Sequence, residues 1–310
     1  MEAVLSITAP IFFLIFLGYL GVRFQVLPQD TLPGLSRFVV YFALPALVFT
    51  KLLSMDLAEV VNLDYMLIYT LGGLFALVFT ILLSRLVFKD SWEASGVRGL
   101  GAALPNSAFI GFPVILQMFE HPPAQAFAMS VMVENIVLMP AALIFLETMM
   151  GKRQGNKGSV FVPVVKRISS NPIIISVFLG LLCSSLGLKM PAFISYGLGM
   201  LSQGAACVAL VVIGGSLCGV SIKCNIGQMS LVAMVKLLIF PMVVSGLVLL
   251  FPDLSSDLKT SVIIFAAVPM FSIYPIIGGE YGERSFCAST LLVTTILSFV
   301  SLSVWLHFLV

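Results

Sequence analysis

Charge is what this chain has least of. Only 10% of its 310 residues are Asp, Glu, Lys or Arg, against roughly 25% in soluble domains. The net charge of +2 comes with no basic patch interleaved with aromatics, so nucleic acid is excluded as a partner. Histidine is almost missing: His121 and His307 are the only two, too few for a His-based metal cluster. The five cysteines, Cys183, Cys207, Cys218, Cys224 and Cys287, show no CxxC spacing and lie in or beside apolar stretches. They read as free thiols, so neither a metal site nor a disulfide framework is expected. No GxxxxGK[ST] run is present to cradle a nucleotide, which excludes ATP-driven work by this chain. HExxH and GxSxG are missing as well, and no paired acids or nucleophile–base set takes their place. The chain is not expected to be an enzyme or to carry a cofactor.

What is present is apolar. Hydrophobic residues make up 60% of the chain and the mean hydropathy is +1.13. A bilayer core of about 30 Å takes about 20 apolar residues per helix. Ten such spans fit, at roughly 4–22, 36–54, 64–88, 96–118, 124–148, 171–188, 194–219, 228–251, 259–279 and 286–308. The expected fold is therefore all-α and polytopic, embedded in a lipid bilayer. The first span ends in Gly-Val-Arg instead of a small-residue cleavage site, so it reads as retained. Lys and Arg are enriched in cytoplasmic loops. With the N-terminus outside, Arg23, Arg37, Arg85, Lys89, Arg98, Lys152, Arg153, Lys157, Lys166, Arg167, Lys223 and Arg284 are cytoplasmic. Only Lys51, Lys189 and Lys259 then face outwards. Both termini are expected outside.

One polar loop, 151–170, separates five spans in 1–150 from five in 171–310, and the halves look alike. Pro10 precedes Phe16-Leu17-Gly18 as Pro172 precedes Phe178-Leu179-Gly180. Ala102-Ala103-Leu104-Pro105 resembles Ala266-Ala267-Val268-Pro269. The two intervals are 162 and 164 residues (172 − 10 and 269 − 105). An odd number of spans per half inserts the second half upside down, which is the inverted-repeat plan of many secondary transporters.

The fourth and ninth spans carry unusual stretches, Leu104–Pro113 (LPNSAFIGFP) and Pro269–Gly278 (PMFSIYPIIG). Proline removes a backbone donor and clashes with the preceding turn. A broken helix at membrane depth is tolerated only where its free polar groups face protein or a wet cavity. Pro105, Asn106, Ser107, Gly111 and Pro113 in the first stretch are candidate substrate contacts. So are Pro269, Ser272, Tyr274 and Pro275 in the second. A half-helix restarting after a break turns its positive end into the same space, which suits a carboxylate. The other reading is a pair of proline kinks that only help packing. Ionisable groups at depth are costly. Glu134, beside Asn135, sits at the middle of the fifth span and Lys236 a third of the way into the eighth. They are candidates for proton coupling or a charge pair. The alternatives are a hydrogen-bonded structural acid and a lysine that snorkels to the cytoplasmic face. Pro45 in the second span and Gly214-Gly215-Ser216 in the seventh read as close-packing segments with a secondary chance of lining a cavity.

The residues at this point resemble a family. Ala43-Leu44-Pro45-Ala46-Leu47-Val48-Phe49 is similar to the second-span signature of auxin efflux carriers, and Asn106 with Gly111 and Pro113 to their fourth-span N-x-x-x-x-G-x-P pattern. Asn171-Pro172, Leu179-Gly180, Pro191, Ala209–Leu217 and Lys236–Pro241 match the second half. The resemblance implies ten helices as a five-plus-five inverted repeat, with helices four and nine crossing at their prolines. The short central loop resembles the bacterial branch described as malonate or malate permeases. It implies a secondary transporter of a small mono- or dicarboxylate in a bacterial inner membrane, with a homodimer allowed, and Glu134 makes proton coupling the expected drive ahead of sodium coupling or none. A membrane ligand sensor that moves nothing is the rival reading.

Overall fold

A computed structural model describes residues 2–53, 61–154, 169–188, 190–219 and 225–309. Most of the expected linker lies outside the described residues, as do Lys157, Lys166, Arg167, Lys189 and Lys223 from the charge count. Among the described residues the chain is helical throughout, and seven helices are long and apolar enough to cross a bilayer. The chain is a polytopic membrane protein.

In chain order the helices are α1 (Glu2–Arg23), α2 (Gln29–Leu52), α3 (Leu63–Val87), α4 (Trp92–Ala103), α5 (Ser107–Met118), α6 (Ala124–Met150) and α7 (Pro172–Ser185). They continue with α8 (Ala192–Ser216), α9 (Ile226–Val248), α10 (Ser256–Ala267), α11 (Tyr274–Glu280) and α12 (Arg284–Leu309). The expected fourth span is α4 plus α5, and the ninth is α10 plus α11. Both start earlier than their apolar runs, because Ser91 and Ser255 cap α4 and α10 by accepting from the amides of Ala94 and Leu258. Starts recur at a nearly constant interval: Gln29 and Ala192, Leu63 and Ile226, Trp92 and Ser256.

Proline shapes the long helices in a regular way. Four π-helical turns, Val39–Ala43, Ser107–Gly111, Glu134–Leu138 and Val235–Ile239, each end two residues before a proline. The prolines are Pro45, Pro113, Pro140 and Pro241. A proline ring crowds the carbonyl four residues back and offers it no N–H, and the widened turn relieves that clash. At Leu237, whose helical partner would be Pro241, the indole N–H of Trp305 supplies a donor at 3.0 Å.

Close packing fixes the frame. A Cβ on Gly214 would stand 1.7 Å from the Ile15 carbonyl oxygen, and one on Gly18 2.1 Å from that of Val211. The backbones of α1 and α8 therefore touch, as the small residues of the seventh span led us to expect. Near the other end of α4, buried Arg98 ties separate elements together. Its guanidinium pairs with Asp90 at 2.9 Å, donates to Gln228 at 3.1 Å and lies 4.5 Å from the centre of the Phe286 ring. Arg98 thus fastens α4 to the start of α9 and to α12.

Candidate functional site

The two interrupted helices meet. Pro105 and Met270 pair in antiparallel fashion. The Asn106 amide donates to the Pro269 carbonyl at 2.8 Å and the Phe271 amide to that of Leu104 at 3.1 Å. Each break thus satisfies the backbone groups that the other exposes, which is what a non-helical segment shielded from water needs. The breaks themselves are shorter than the stretches read from the sequence. The first is Leu104–Asn106, and Gly111 and Pro113 belong to the restarted α5. The second is Val268–Ile273, with Tyr274, Pro275 and Gly278 inside α11. A proline one or two residues into a helix loses an N–H that would be unpaired there anyway, so Pro275 starts a helix instead of breaking one.

Asn106 holds the centre. Its side-chain N–H donates to the Ser272 hydroxyl at 2.9 Å, across the crossing. Its side-chain oxygen caps α5 by accepting from the Phe109 amide at 3.3 Å, and its backbone carbonyl takes those of Ile110 and Gly111 at 3.0 Å. The amides of Ser107 and Ala108, at the very start of α5, are left for another acceptor. Asn106 is 3% exposed and Pro105 and Pro269 are buried, while Ser272 and Pro275 are part-exposed. Tyr274 is fully buried and points away from the crossing, its hydroxyl donating to the Val97 carbonyl of α4 at 3.0 Å.

Glu134 joins this centre through the first turn of α5. The Ser107 hydroxyl donates to Glu134 Oε1, and the Tyr69 hydroxyl donates to the same oxygen at 2.7 Å. The carboxylate is thus held by α3 and α5 together, in a site almost closed off by protein. Asn135 does not reach it. Its amide bonds back to the Val131 carbonyl at 2.9 Å and its oxygen accepts from Asn171 at 2.9 Å, linking α6 to the start of α7.

Lys236 neither snorkels nor grips Glu134. It is fully buried, and its Nζ donates to the Ala266 carbonyl at 2.7 Å, with the Phe240 ring centre 4.4 Å away. The two charged groups are still near enough to interact electrostatically. Phe240 stacks on Tyr69 at 6.0 Å between centroids, so one aromatic pair stands between the lysine and the acid. Tyr69 escaped the reading of the sequence. The signal was there, since a tyrosine midway through an apolar span wants a partner for its hydroxyl. An open apolar groove of about 350 Å³ lies between α2, α7 and α8, lined by Pro45, Ala46, Phe49, Pro172 and Leu179 among others and by no residue of either break.

Comparison with known proteins agrees with this architecture. The family model described as "Membrane transport protein" matches residues 3–306. A "Putative malonate transporter" of Rhizobium meliloti (strain 1021) is 26% identical over 303 residues, which cover 96% of this chain and 93% of that one. An "Uncharacterized transporter" of Methanothermobacter thermautotrophicus is 26% identical over 98% of this chain and 96% of its own. "Auxin efflux carrier component 7" of Arabidopsis thaliana is 29% identical over 139 residues, 44% of this chain and 22% of that one. With a match running almost from end to end, this chain belongs to the membrane transport protein family, that of the auxin efflux carriers, and is a membrane transporter and not an enzyme.

Proposed function

We propose that the chain is a secondary carrier of a small carboxylate, malonate or malate in class, and that the substrate binds where the two broken helices cross. The observation that carries this reading is the Asn106–Ser272 bond over the Pro105–Met270 pairing. It sets an amide side chain and the positive start of α5 at one point deep in the protein, the arrangement that suits an anion. The interval shared by Gln29 and Ala192, Leu63 and Ile226, and Trp92 and Ser256 supports ten spans as a five-plus-five inverted repeat, divided at 151–170. Such carriers rock one bundle against another around a fixed site. The 3% exposure of Asn106 fits, because a ligand reaches it only after the helices part.

Glu134 is the proton-coupling group of this reading. It shares Ser107 with the crossing, so protonation of the carboxylate alters a hydrogen bond at the first turn of α5. Bacterial inner-membrane location, termini outside and a homodimer complete the reading. The test is uptake of labelled malonate and malate into proteoliposomes under an imposed pH gradient. Uptake with an acid exterior, weakened in Asn106→Ala by a roughly tenfold rise in KM, is the expected result. Uptake by Asn106→Ala at the full wild-type rate would place the substrate elsewhere.

A further inference from the structure

We infer that the Lys236 ammonium is a resident cation, held where a coupling sodium ion would otherwise bind, and that it makes this transporter independent of sodium. The argument begins with the helix end. The carbonyls of the last turn of α10 point past Ala267 into the crossing, where the partial negative charge of a helix terminus collects. In broken-helix carriers such unwound carbonyls and half-helix C-termini are where sodium ions or protons are coordinated. Here the carbonyl of Ala266 cannot be served in helical fashion. Its partner would be the Met270 amide, which lies within the non-helical break 268–273. The lysine serves it instead, at 2.7 Å.

Three further features fit a built-in cation. Lys236 is completely buried, which without function is a costly place for an ionisable group. The Phe240 ring presents its π system 4.4 Å from Nζ, an attraction strongest for a cation. Glu134 is near enough to interact with it electrostatically, without direct contact. The lysine also sits on the π-helical turn Val235–Ile239, which ends two residues before Pro241. That proline-driven widening belongs to the architecture that presents Nζ to α10. The position of Lys236 in α9 corresponds, at the interval between Leu63 and Ile226, to Gly73 in α3. A Cβ on Gly73 would already collide with Leu138, so the first break has no matching lysine and no room for one. The cation is a property of the second break alone.

The inference rests on the carrier reading for its transport arm but not for its stability arm. The purified full chain is melted in sodium chloride and in choline chloride at equal ionic strength, alongside Lys236→Ala and Lys236→Met. Wild type should melt at the same temperature in both salts. Lys236→Ala, which leaves space at the Ala266 carbonyl, should gain about 3 °C in sodium, the shift expected of a ligand at roughly tenfold over its Kd. Lys236→Met fills that space without charge and should be less stable than wild type and indifferent to sodium. In proteoliposomes wild-type malonate uptake should be equal in the two salts, and sodium should restore uptake to Lys236→Ala several-fold. Sodium-specific stabilisation or acceleration of the wild type would overturn the inference. So would a Lys236→Met protein as stable as wild type, the mark of an uncharged filler. If Lys236→Ala does not fold, wild type and Lys236→Met decide. If wild type carries no malonate at all, the carboxylate reading fails while the melting arm still rules on the cation.

Discussion

The two breaks that meet at the crossing share one backbone plan and differ in chemistry. At the first, a three-residue gap ends in Asn106, whose side chain caps the restarted helix, and a buried acid reaches that helix through Ser107. At the second, a longer gap ends in Ile273, which caps nothing, and the restarted α11 is only seven residues long. Its charged group is a lysine, and it binds the carbonyl end of α10 instead of the amide end of α11. The acid thus attends the positive start of one half-helix and the base the negative finish of another, each in the sense that helix dipoles favour. Two breaks that meet at one point can therefore carry an unequal division of labour. In the proposed mechanism the first break receives the anion and senses the proton, and the second is locked by its own cation.

The largest test of that division is Glu134→Gln. It keeps the shape but removes the charged acceptor shared by Ser107 and Tyr69. Hydrogen bonds to a charged group are worth about 1.5–3 kcal/mol each. Uptake driven by a pH gradient should accordingly fall by roughly tenfold or more, with a smaller loss of exchange between equal concentrations on the two sides. Equal loss in both assays would make Glu134 structural.

Next in size is Gly101→Ala, which probes how tightly α11 is seated. A Cβ there would lie 2.6 Å from Tyr274 Cζ, and overpacking of this kind costs about 1–3 kcal/mol. The melting temperature should drop, and Tyr274→Phe in the same background should not rescue it, because the ring remains. Asn106→Ala removes both the cap of α5 and the bond to Ser272. We expect about 1 kcal/mol of lost stability and a rise of roughly tenfold in KM for malonate, the equivalent of about 1.4 kcal/mol. The smallest effect belongs to Ser272→Ala, which leaves the Asn106 amide short of one acceptor. A loss of about 1 kcal/mol, seen in KM more than in melting, would put Ser272 beside the substrate. No change in KM would leave the first break as the sole binding element.

Much of this was legible in the sequence, for reasons tied to particular residues. Pro105 and Pro269 marked the interruptions because a proline effect on a helix is local and survives any tertiary context. Glu134 stood out because a carboxylate within an apolar span needs partners. The readings that changed are those where proline has two behaviours. Pro113 and Pro275 looked like breakers, yet Pro113 sits inside the restarted α5, just after its π-helical turn, and Pro275 sits at the start of α11. Tyr69 passed unnoticed because its acid lies 65 positions away in the chain.

By itself the sequence determined the class of the protein, the depth of its ionisable residues and the places where its helices must give way, since each follows from local hydrophobicity and from the missing N–H of proline. Tertiary structure alone decided what those groups meet. Asn106 found Ser272 across 166 positions, and Lys236 chose a carbonyl 30 positions away over the nearby acid. Such choices depend on how helices cross and on which broken end lies open at the crossing, and helical periodicity encodes neither.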